Sequence, residues 1–69
     1  MAKHHPKYKP MQNLKARRNA CGFTQEELAL KVGVNRQQVR MYETGWRYPR
    51  PHTMEKLAEA LGCEVKDII

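Results

Sequence analysis

The sequence predicts an all-α fold, five short helices and no strand in one domain. Three observations carry that expectation. Met54, Leu57, Ala58 and Leu61 recur at i, i+3, i+4 and i+7, the apolar stripe of a helix. Thr24-Gln25-Glu26-Glu27 is a capping box, in which the Thr hydroxyl accepts from the third amide and the Glu reaches back. Gly22, Gly33, Gly45 and Gly62 each fall where a helical segment should stop.

Residues 1–9, MAKHHPKYK, are basic, interrupted by proline and without periodicity, and read as a flexible arm before a domain spanning 10–69. Helix 1 is expected from Pro10 to Cys21, with Pro10 suited to the first turn. Leu14, Arg18 and Cys21 share one of its faces. Helix 2, Gln25 to Val32, buries Leu28, Ala29 and Val32. Asn35 is a good N-cap for helix 3, Arg36 to Thr44, and Asn35-x-x-Gln38 is a second capping-box pattern. Val39, Tyr42 and Glu43 lie on its inward side. After the loop WRYPRP (46–51), Pro51 opens helix 4, which runs to Leu61. Val65 to Ile69 is long enough for a fifth, single-turn helix.

A chain of 69 residues buries a modest core and leaves little room for a catalytic cleft. Its net charge of +6 is unevenly placed: residues 1–50 hold 11 Lys/Arg against 3 Asp/Glu, residues 51–69 hold 2 against 4. A basic bulk points to a polyanionic partner. With no membrane-spanning apolar run and no secretory signal, a cytoplasmic protein is expected. Cys21 and Cys63 should then be reduced and packed as small hydrophobes. His4, His5 and His52 give no zinc-like spacing with them, so neither metal nor cofactor is expected. No nucleophile–base–orienter set is present, and the chain is read as no enzyme.

Helices 2 and 3 are joined by only Gly33, Val34 and Asn35. Two helices with a short Gly-containing turn form a helix-turn-helix, here at about 25–44, whose second helix docks in the DNA major groove. With Val39 and Tyr42 inward, Arg36, Gln37, Arg40, Met41 and Thr44 project outward. Arg forks onto the two acceptors of guanine, Gln pairs with adenine, and Met41 offers apolar contact to a thymine methyl. Equally, exposed Arg and Gln often form a merely solvated face. Gln25 stands at a helix N-terminus, where free amides and the dipole favour a phosphate. Arg47, Arg50 and Tyr48 follow helix 3 and suit the DNA backbone, whereas Trp46 fits either that role or packing beneath the loop. Arg18, on an apolar face, needs a carboxylate, and Glu43 is the expected partner in a structural ion pair. In the arm, Lys3, Lys7 and Lys9 suit DNA wrapping or a solvated tail.

Residues 14–69 resemble the Cro/lambda-repressor-type (XRE-type) helix-turn-helix family. Leu14 and Arg18 fit its first helix, GFTQEELALKVGV (22–34) the first motif helix and turn, and NRQQVRMYETG (35–45) the recognition helix. Arg47-Tyr48-Pro49, TMEKLAEALG (53–62) and EVKDII (64–69) fit the remainder. The resemblance implies a compact five-helix lambda-repressor-like domain, often a dimer on an inverted-repeat operator. It implies phosphate contact by Gln25, base contacts from Arg36, Gln37, Arg40 and Met41, and a buried pair of Arg18 with Glu43. Arg40 departs from the small residue usual there, and the arm lies outside the shared pattern.

The resulting expectation is a sequence-specific double-stranded DNA-binding regulator, a bacterial or phage repressor, acting as a homodimer that could form only on DNA. Ile68 and Ile69 would either make that dimer contact or close the core. The alternative is an antitoxin or coactivator-like interaction module that also binds DNA, for which a protein partner should co-purify.

Overall fold

The computed structural model describes residues 6–69. The chain forms α1 (Gln12–Ala20), α2 (Gln25–Val32), α3 (Arg36–Thr44), α4 (Pro51–Ala60) and a closing 3-10 turn (Val65–Asp67). No strand occurs among the described residues. The arm's residues 1–5, with Lys3, His4 and His5, lie outside them.

Both motif helices begin on reciprocal caps. Glu27 N–H donates to Thr24 Oγ1 at 3.0 Å and Thr24 N–H to Glu27 Oε1 at 2.8 Å. Gln38 N–H donates to Asn35 Oδ1 at 2.8 Å and Asn35 N–H to Gln38 Oε1 at 3.1 Å. Each box satisfies two amides that have no partner inside their own helix. Gly33 sits at φ 85°, the left-handed closure of α2, and its N–H and that of Val34 both reach Ala29 O, at 2.9 and 3.0 Å. The Asn35 cap and one glycine, Gly33, therefore set the three-residue turn between α2 and α3.

α2 packs on α3 and α4, α1 on α3, and the closing turn on α4. One core joins them: Leu14 from α1, Leu28, Ala29 and Val32 from α2, Val39 and Tyr42 from α3, Met54, Leu57 and Ala58 from α4, with Leu61 and Ile68. Removing most of a side chain such as Leu57, which is fully buried, costs about 2–5 kcal/mol in such a setting.

Among the described residues four helices, not five, make the fold. The segment expected as a fifth helix is a 3-10 turn of only three residues. Glu64 N–H donates to Asp67 Oδ2 at 3.0 Å, and Ile68, fully buried, takes the chain down into the core. So short a segment cannot offset the cost of nucleating an α-helix. Helix 1 starts at Gln12, two residues later than expected. Met11 is buried, and its N–H donates to Tyr42 O at 3.2 Å, so the chain enters the core before it turns helical. Cys21, expected in the core, is exposed at the end of α1, with its thiol 3.7 Å from Leu61 O, while Cys63 is half-buried. No helix among the described residues is long and apolar enough to cross a membrane.

Candidate nucleic-acid interface

The back of α3 is fastened and its front is open. Val39, Tyr42 and Glu43 are buried, whereas Arg36, Gln37, Arg40 and Thr44 are exposed and Met41 is half-buried. Gln38 is half-buried and engaged in the cap. Thr44 Oγ1 donates to Arg40 O at 2.8 Å, so its hydroxyl hydrogen is spent on its own helix. Gln37, Arg40, Met41 and Thr44 line a shallow depression together with Trp46. Trp46 is 44 % exposed, so it stands beside the outward row of α3 and not beneath the loop. Its chain position follows from the helix end, where the Gly45, Trp46 and Arg47 amides all converge on Met41 O, at 2.9, 2.9 and 3.3 Å. Composition alone could not show that convergence.

The opposite anchor is polar. Arg18 Nε donates to Glu43 Oε2 at 2.7 Å and Arg18 Nη2 to Glu43 Oε1 at 3.2 Å. The third guanidinium nitrogen, Nη1, donates to Phe23 O at 2.7 Å. Gln25 Nε2 also donates to Glu43 Oε1, at 3.1 Å. One carboxylate on α3 therefore ties together α1 and the first residue of α2. Gln25 is half-buried, and its amide keeps a second N–H for another acceptor. The contact between Gln25 and Glu43 has no sequence pattern that would reveal it.

On the other flank, Arg47, Tyr48 and Arg50 are exposed around the buried Pro49. Burial pushes the Tyr42 phenol above its ordinary range, and the guanidinium groups of Arg47 and Arg50 oppose that rise. Both charges thus act at the C-terminal end of α3. Tyr8 N–H donates to Gly45 O at 2.8 Å, and the Tyr8 and Tyr48 rings lie 5.9 Å apart between centroids. The outward row of α3 is bounded by the start of α2 on one side and by an arginine-bearing loop on the other. Among the described residues, no group of three His, Cys, Asp or Glu side chains is placed to hold a metal ion.

Comparison with known proteins agrees with this fold. The family model described as helix-turn-helix matches residues 14–68. An uncharacterized HTH-type transcriptional regulator of Methanothermobacter thermautotrophicus is 41% identical over 56 residues, covering 80% of this chain and 81% of that protein. The restriction-modification controller protein C.AhdI of Aeromonas hydrophila superposes with a TM-score of 0.79 at 36% identity, over 84% of this chain and 88% of that one. The clp gene regulator ClgR of Corynebacterium glutamicum gives 0.78 at 26% identity, over 83% of this chain and 61% of that one. An exposed, doubly capped second helix on a four-helix scaffold, matched along nearly its whole length, leads to one statement: the chain belongs to the XRE-type helix-turn-helix family of transcriptional regulators.

Proposed function

We propose that this regulator is a sequence-specific double-stranded DNA-binding repressor that reads the major groove with α3. The observation that carries the reading is the split of α3 into a fastened back and an open row of long hydrogen-bonding side chains. Arg36, Gln37, Arg40 and Met41 are the proposed base contacts, Arg36 and Gln37 being nearest the N-terminal end that enters the groove. Gln25, Arg47, Arg50 and Tyr48 are the proposed phosphate contacts, which supply affinity and make it salt-dependent. Repression needs only occupancy of a promoter, whereas activation needs a further contact to the polymerase.

The protein is proposed to act in the cytoplasm as a homodimer. Ile68 is committed to the core, but Ile69 is 54 % exposed and lines a hollow with Pro10 and Tyr48. That leaves Ile69 as the remaining candidate for the dimer contact. Selection from a random duplex pool at near-physiological salt tests both proposals. An inverted repeat with half-sites about one helical turn apart supports a dimeric repressor. Salt-sensitive binding without any enriched sequence would sink the claim of base reading.

A further inference from the structure

The arm reads in sequence as an unattached tail, yet its last residues lie against the body. Tyr8 N–H bonds to Gly45 O, the residue that closes α3. A Cβ at Gly45 would collide with the Tyr8 carbonyl and meet Pro6 Cβ at 2.9 Å, so the contact between the two segments is close. The Tyr8 ring adds a tilted contact with Tyr48 in the loop. These two attachments hold Lys7 and Lys9 immediately beside the segment that carries Arg47 and Arg50. Lys7 Nζ lies 5.8 Å from the centre of the Tyr8 ring, and Lys9 lines the same hollow as Tyr48.

Lys7 and Lys9 thus flank the residue seated on the end of α3, and Arg47 and Arg50 lie on the loop that leaves that end. Among the described residues, none of them is in an ion pair. Glu43, the carboxylate that α3 itself carries, is buried and already engaged by Arg18 and Gln25. Unpaired like charges brought together destabilise the compact state unless a polyanion meets them. A DNA backbone crossing this end of α3 would do so.

We propose that residues 6–10 are a strap fixed across the C-terminal end of α3, through which Lys7 and Lys9 extend the phosphate-contacting surface of Arg47 and Arg50 along the DNA backbone. This rests on the reading of the protein as a DNA-binding regulator. The strap differs from a charged tail in one respect: its lysines are held in place, so their contribution depends on the anchor as well as on the charge.

The test follows duplex affinity from about 50 to about 200 mM salt for wild type, for K7Q/K9Q and for Tyr8→Pro, which removes both the ring and the N–H that bonds Gly45 O. Tyr8 lies outside the core, so its removal leaves the packed helices in place, and a melting curve on each variant verifies this. Loss of two phosphate contacts per protomer should make the log–log salt slope shallower by about 1.8 for each protomer bound in K7Q/K9Q. Tyr8→Pro should weaken binding although it changes no charge. A slope unchanged in K7Q/K9Q overturns the proposal. A shallower slope in K7Q/K9Q with wild-type affinity in Tyr8→Pro also overturns it, because the lysines would then act as an untethered tail. Wild-type protein with no salt-sensitive duplex binding would instead overturn the regulator reading on which the strap depends.

Discussion

Arg18 and Glu43 form a two-pronged ion pair, with 2.7 and 3.2 Å contacts between side chains that are 9 % and 3 % exposed. The guanidinium fork matches the carboxylate, and its remaining nitrogen is satisfied by Phe23 O. A pair this buried need not outperform two well-packed apolar residues, but breaking it from one side leaves a charge without a partner. Arg18→Ala should therefore lower stability by about 3–5 kcal/mol. Loss of DNA binding would follow only where the fold is lost. Thermal unfolding measures this directly, and a melting temperature equal to wild type would refute a structural role for the pair.

Arg36 stands at the start of α3, exposed and among the described residues in no ion pair. Arg36→Ala should cost about 1–3 kcal/mol on the selected operator and relax preference at one base pair. Titrations against the operator and against single-base variants decide the point. Equal weakening on every duplex would reassign Arg36 to the phosphate backbone.

The motif helices were legible because their ends are set by local chemistry. Thr24, Glu27, Asn35 and Gln38 cap within four residues, and Gly33 and Gly45 close with left-handed backbone. The buried faces of α2, α3 and α4 followed from period alone. One tertiary contact was legible too, because Arg18 on an apolar face needs a carboxylate and Glu43 supplies it; others were not. Met11 is held by Tyr42 O and by the core, which delays α1, and Pro10 gives no hint of it. The closing segment is a 3-10 turn because Ile68 descends into the core. At the candidate interface the outward row of α3 was readable from its spacing. The Gln25–Glu43 bond and the seating of Tyr8 on Gly45 link residues 18 and 37 positions apart, and no local pattern encodes either.

Two glycines with nearly the same backbone make a controlled comparison. Gly33 has φ 85° and nothing within 4 Å of an added Cβ, whereas at Gly45, φ 89°, a Cβ would run into the Tyr8 carbonyl and Pro6. Gly33→Ala should lose about 1–2 kcal/mol, the cost of left-handed backbone for a residue with a Cβ. Gly45→Ala should lose that and about 1–3 kcal/mol more from the overlap. Urea unfolding of both variants measures the difference. Equal losses would mean that residues 6–10 move aside without cost.

Two acids tie stability to alkaline pH. Burial pushes the Tyr42 phenol above 10.0, against Arg47 and Arg50. Burial also pushes the Cys63 thiol above 9.0, opposed by Arg17 and reinforced by Asp67, Cys21 and Glu64. Each group holds its proton more tightly folded than unfolded. Their stabilising effect is thus complete below the unfolded values and is lost as pH rises through the folded ones. Melting temperature should fall as pH passes 9.0 and continue falling beyond 10.0, the later part belonging to Tyr42. Tyr42→Phe removes the ionisable group while keeping the ring, so its curve should converge on wild type, or cross it, at the alkaline end. Melting curves from about pH 8 to about pH 11 test this. Curves that run parallel across that range would show that Tyr42 does not titrate with unfolding.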